Sequence, residues 1–144
     1  MKTFLLIVTI LFLISRVSST PRGLSKKVYE KHIEKETKSM ADNFAKKTED
    51  EIESFKFGVY ILSFIFTTLM ICYYLYIGSI FSNKILYFMS TIQASTALVH
   101  FWKDITGNPL STNPEEYKFN RWWVLFNVVL DYVYYPITIY MLLQ

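Results

Sequence analysis

Cysteine is almost absent from this chain: 144 residues carry one, Cys72. A single thiol excludes an intramolecular disulfide and any zinc site built from thiolates. Glycine and proline are also sparse, four of each and scattered, so no glycine-rich loop is available to cradle a phosphate. No Asn-x-Ser/Thr triplet occurs, which excludes the usual N-glycosylation acceptor. Nor is there a block of one charge sign. Between Pro21 and Lys56, nine Lys/Arg alternate with eight Asp/Glu, the pattern of a solvated segment and not of a nucleic-acid-binding arm.

What is present is apolar and comes in blocks. The chain is 52% hydrophobic and 18% aromatic, too apolar for an ordinary soluble domain of this length. Residues 3–15, 57–83 and 85–102 are uncharged, and 122–143 is interrupted only by Asp131. A hydrocarbon core of about 30 Å needs roughly 20 apolar residues as helix. The last three blocks meet that requirement and the first is short of it. The expectation is an all-α membrane protein: a signal peptide at 1–19, a charged, mostly helical segment at 20–56, and a three-helix transmembrane domain at 57–144 with spans 57–81, 85–102 and 122–143.

The first block has the layout of a secretory leader: basic Lys2, an apolar run, then Val17 and Ser19 as the small residues before a cleavage point after Ser19. The alternative is an uncleaved anchor. Cleavage would make 20–56 lumenal or extracellular, the 103–121 loop lumenal, and Lys84 cytosolic, in the endoplasmic reticulum or plasma membrane. The positive-inside rule conflicts with that orientation, because Lys103, Lys118 and Arg121 then lie outside.

Residues 24–55 contain no Gly or Pro and are expected to form one solvated helix, with Glu34/Lys38 and Asp42/Lys46 paired at i, i+4. Ser82-Asn83-Lys84 leaves room only for a tight turn, so the first two spans form an antiparallel hairpin. Gly107-Asn108-Pro109 signals a turn. Asn113-Pro114-Glu115-Glu116 has the form of a helix start and places the beginning of the third helix near Pro114. That helix enters the membrane at the interface anchors Arg121, Trp122 and Trp123 and kinks at Pro136.

The candidate site lies inside the membrane. Ser90, Gln93, Ala97, His100 and Asp104 share one face of the second span, and Asn127, Asp131 and Tyr135 stand at i, i+4, i+8 on the third. Asp131 is nine residues past Trp122 and Gln93 nine before Trp102. At 1.5 Å per residue both sit about 13 to 14 Å from the same membrane face. A carboxylate at that depth costs about 2.5 to 3.5 kcal/mol. It is therefore either neutralised as a lock between helices, through Gln93, Asn127 or a hydroxyl at Thr67, Thr68 or Tyr73, or it holds a ligand, ion or proton.

Gln93, Asn127, Asp131 and Tyr135 form the expected cluster, with Ser90, His100 and Asp104 as secondary candidates. No nucleophile and base stand together and no third ligand accompanies His100 and Asp104, so neither catalysis, nor a metal, nor a cofactor is indicated. The sequence points to an accessory or assembly subunit of a larger secretory-pathway membrane complex. Its expected partners are the bilayer and other membrane proteins or copies of itself, and not nucleic acid. The alternative is an oligomeric transporter or pore component, or a lipid-binding protein, using the polar cluster around Asp131; a membrane-embedded enzyme using His100, Asp104 and Asp131 ranks below these.

Overall fold

The computed structural model describes residues 1–107 and 110–144, apart from the side chains of Arg22 and Gly23; the expected turn at Gly107-Asn108-Pro109 falls partly outside them. Among the described residues the chain is helical throughout, with no strand. Five α-helices follow in order: α1 (Lys2–Leu24), α2 (Lys26–Phe44), α3 (Glu49–Ile80), α4 (Lys84–Thr106) and α5 (Arg121–Leu143), with a 3-10 turn at Pro114–Glu116.

The helical segment at the N-terminus is longer than its apolar run. After Ile14 the hydroxyls of Ser18, Ser19 and Thr20 turn back onto the carbonyls of Ile14 and Arg16 at 2.8 to 3.0 Å, so polar side chains occupy helix positions without competing for other partners. Pro21 lies in the last turn. The result is a 23-residue helix, one of three that are long and apolar enough to cross a membrane, with Glu49–Ile80 and Arg121–Leu143. By length and composition alone α1 meets that requirement, and 85–102 falls short on apolarity because the hydroxyl and amide residues along it dilute it.

The charged segment is also divided differently. Residues 24–55 are not one helix: α2 ends at Phe44, and Thr48 starts α3 with a capping box. The Thr48 hydroxyl accepts from Glu51 N at 3.4 Å and Glu51 Oε2 accepts from Thr48 N at 2.9 Å, which satisfies two donors that a helix start leaves open. Three acids, Glu49, Asp50 and Glu51, fill the first turn, where the helix dipole favours them. Residues 49–56 therefore belong to the same rod as the apolar block. Along α2, Lys26 pairs with Glu30 and His32 Nε2 lies 3.1 Å from Glu36, in place of the two pairs expected from spacing; at this exposure the Lys26–Glu30 pair contributes only about a few tenths of a kcal/mol.

The third span starts at Arg121. Asn113 does act as a cap, accepting from Glu115 N at 3.0 Å, but it caps only the 3-10 turn. The chain then extends through 117–120, and Asn120 caps α5 by accepting from Trp123 N at 3.1 Å. Pro136 lies within a continuous α5.

Pairwise contacts fix the topology. Helices α3 and α4 form an antiparallel hairpin: Phe64 meets Phe101 at one end, while at the other Gly78 lies so close to Ser90 that a Cβ on it would stand 3.0 Å from Ser90 Cβ. Helix α1 runs antiparallel to α5, with Phe12 beside Tyr135, Arg16 beside Asp131 and Thr20 beside Tyr132. Helix α4 runs antiparallel to α5, from Ser90–Tyr134 to His100–Trp123. The four long helices thus alternate in direction, and α2 and the segment 110–120 both lie at the end where α1 finishes and α3 begins. Tyr29 of α2 touches Phe119 there, ring centroids 5.3 Å apart, and its burial pushes the Tyr29 phenol above its ordinary pKa.

Candidate functional site

Where α1, α4 and α5 meet, three polar side chains form a centre. Asp131 is 1% exposed. Its Oδ1 accepts a hydrogen bond from Gln93 Nε2 at 2.7 Å, and its Oδ2 stands 2.5 Å from Arg16 Nε. Oδ2 receives no aligned hydrogen bond, so the guanidinium holds it by charge. An opposite charge and an amide donor both favour the ionised carboxylate over the neutral acid, against the cost of burial. The pair relieves each member: alone at this depth either would carry the full penalty of an intramembrane charge.

Below the centre, away from α2, the polar groups are hydroxyls bonded to hydroxyls. Tyr135 Oη pairs with Tyr74 Oη at 2.8 Å, Tyr134 Oη with Ser90 Oγ at 3.1 Å, and Tyr73 Oη with Thr9 Oγ1 at 2.6 Å. Thr9 also donates to the carbonyl of Leu5 at 2.6 Å and is fully buried. The tyrosine rings meet edge to face, Tyr74 with Tyr134 at 5.6 Å and Tyr134 with Tyr135 at 5.4 Å, the favoured geometry for aromatic pairs. Ile77, Leu86, Leu142 and Leu5 close the core around them.

Above the centre the packing opens. A crevice of about 230 Å³ is lined by Arg16, by Ser63, Thr67 and Met70 of α3, by Thr96, Ala97, His100 and Asp104 of α4, and by Asn127. Asn127 donates to the carbonyl of Trp123 at 2.7 Å and does not bond to Asp131. His100 packs on Trp123, centroids 5.6 Å apart, and Lys103 Nζ lies 4.6 Å from the centre of the same indole, a cation–π contact. At the mouth, burial raises the Asp104 carboxyl above its ordinary pKa, with His100 opposing. Trp122 is exposed at the start of α5, as is Arg121.

Of the residues singled out from sequence, the structure brings Gln93 and Asp131 into direct contact. It places Tyr135 one turn from Asp131 on a tyrosine partner, gives Ser90 to Tyr134, and leaves His100 and Asp104 at the crevice. Two of the α3 hydroxyls considered for Asp131 go elsewhere: Thr68 donates to the carbonyl of Phe64 and Tyr73 to Thr9. Arg16 and Thr9 are absent from the expected site because both lie in the segment read as a leader. The signal was available: a basic residue following an apolar run, on a chain with one intramembrane acid to neutralise. Among the described residues, no three His, Cys, Asp or Glu side chains are grouped to hold a metal ion.

No known protein family, curated protein or solved structure matches this chain.

Proposed function

We propose that this chain is an accessory or assembly subunit of a larger membrane complex in the endoplasmic reticulum or plasma membrane, built around a charge lock. The observation that carries the proposal is the pairing of Asp131 with Arg16 and Gln93: the one acid at mid-depth is spent on joining three helices of its own chain. Such a centre gives a bundle a fixed register and leaves its outer surfaces for lipid and partners. One surface reaches far from the bilayer. With 32 residues, α3 is about 48 Å long, well beyond a hydrocarbon core of about 30 Å, and α2 presents alternating charge beside it.

In this proposal α1 is retained. Cleavage after Ser19 would remove Arg16 and Thr9, leaving Asp131 without its counter-charge and Tyr73 without its partner. Retention also removes the conflict over orientation. With four long helices, the α2 end carries Arg22, Lys26, Lys27, Lys31, Lys35, Lys38, Lys46, Lys47, Lys56, Lys103, Lys118 and Arg121, against Lys2 and Lys84 at the other end. The positive-inside rule then puts α2 and the 103–121 loop in the cytosol, the reverse of the lumenal placement that a cleaved leader implies. A glycosylation acceptor introduced at residue 50 should stay unmodified and one at 82 should be modified; the opposite pattern sinks this orientation.

The subunit role is tested by crosslinking through the α2 lysines in intact membranes, followed by mild solubilisation and mass spectrometry. A partner recovered in constant proportion supports it. Recovery of the chain as a lone monomer under crosslinking conditions overturns it. A second reading, a transporter component or lipid-binding protein, is favoured by one observation: Arg16 keeps 39% of its side chain exposed toward a crevice.

A further inference from the structure

Arg16 stands at mid-depth and keeps 39% of its side chain exposed, and whatever meets that exposed part has to be compatible with a charge. Arg16 Nε is engaged with Asp131, while the guanidinium carries five donors in all. If hydrocarbon met the exposed part, the residue would retain most of the 2.5 to 3.5 kcal/mol cost of a charge at the centre of the bilayer. The crevice beside Arg16 has a mixed lining: Ser63, Thr67, Thr96, His100 and Asn127 stand on its walls together with Phe66, Met70 and Phe101. Along α4 its lining extends from Gln93 to Asp104, eleven residues or about 16 Å. Its volume of about 230 Å³ holds several waters at roughly 30 Å³ each, each with polar partners in reach.

The crevice has one polar end. Beneath Gln93 and Asp131 the way is closed by Tyr74, Tyr134, Tyr135, Ile77 and Leu86, none more than 2% exposed, and their hydroxyls are already paired with each other or with Ser90. Irregular or charged structure at membrane depth is tolerated where it lines a water-filled cavity. The asymmetry between a polar, open upper half and a dry, closed lower half is what such a cavity needs if the bilayer is to remain sealed.

We propose that this crevice is a water-filled vestibule, open to the α2 face of the membrane only, which brings water and small polar solutes to the Arg16–Asp131 pair half-way across the bilayer. The proposal goes beyond the lock: it assigns the pair a solvent-connected side. It rests on the retention of α1.

The test uses the full chain in sealed proteoliposomes, with Cys72→Ser as background and a protease site in the 45–48 turn to mark the α2 side. Ala97→Cys and Ser63→Cys place a thiol on opposite walls, on different helices, so that a folding defect in one leaves the other informative. Leu98→Cys, on the exposed apolar surface of α4, is the control. A charged, membrane-impermeant thiosulfonate is added to one side at a time. Thiols in apolar surroundings stay protonated and inert, so both crevice positions should react at least about tenfold faster than Leu98→Cys from the α2 side, and remain unmodified from the other side. Reaction no faster than the control at either folded variant overturns the vestibule, and equal reaction from both faces overturns its one-sidedness. The intact mass of each sample shows whether residues 2–19 are present, so loss of α1 is distinguished from a closed crevice.

Discussion

The two halves of the bundle solve the same problem by different chemistry. In the half nearer Met1, every buried polar group is neutral and paired at short range: Tyr74 with Tyr135, Tyr134 with Ser90, Tyr73 with Thr9. In the half nearer α2, the buried Asp131 is matched by a partly exposed Arg16, which lines a crevice. The closed half is held by shape and hydroxyl pairing, which need no water. The open half is held by charge, which a low-dielectric interior makes strong when paired and expensive when broken. Removal of a single group should therefore do more damage in the open half, where it strands a charge, than in the closed half, where it strands a hydroxyl.

The largest effect is expected at the charge pair. Asp131→Leu leaves Arg16 unpaired and should destabilise the bundle by about 3 kcal/mol, the lower end for a broken buried pair because Arg16 is partly solvated. The double replacement Arg16→Met with Asp131→Leu should recover most of that loss. Reversible unfolding in mixed micelles measures both, and equal loss in the single and double variants would show that charge is not what holds the open half. Next comes shape. Gly78→Leu drives a side chain into Ser90, 3.0 Å from where its Cβ would begin, and overpacking of this kind costs about 2 kcal/mol; the same unfolding assay should show it, with Gly78→Ala milder. Tyr135→Phe removes one hydroxyl from the closed half and should cost about 1 kcal/mol or less, in line with single hydrogen bonds inside membranes. A loss at Tyr135 as large as that at Asp131 would erase the distinction between the halves. Smallest in reach is Thr48→Ala, which removes one member of the capping box. It should cost about 1 kcal/mol locally, read as faster amide exchange over residues 49–52 with no change at the charge pair.

Sequence made some of this legible. The apolar blocks located α3 and α5, the three residues between blocks located the hairpin, and counting from the tryptophans set Gln93 and Asp131 at one depth, where they are hydrogen-bonded. Two helix starts escaped, each for a physical reason. The start of α3 was hidden inside a charged segment that reads as helix on both sides of Thr48; the Thr48-x-x-Glu51 box was the mark that separates them. The start of α5 was displaced because Asn113-Pro114 and Asn120 are both good caps, and only the packing of Trp123 against α4 decides which begins the long helix. Partners beyond the chain are not legible at all, since without a hydrophobic drive between helices an apolar outer surface does not reveal whether lipid or another protein covers it.

The hydrogen bond between Gln93 and Asp131 joins residues 38 positions apart in the chain. At translation rates of about 5 to 20 residues per second, the amide is made roughly 2 to 8 s before its carboxylate partner. During that interval α4, the least apolar of the long helices, has to reside at the insertion machinery or against its hairpin neighbour with its polar face unmatched. Arg16, made earlier still, waits longer. Within this chain the centre is complete only when α5 brings in Asp131, the group that both Gln93 and Arg16 meet.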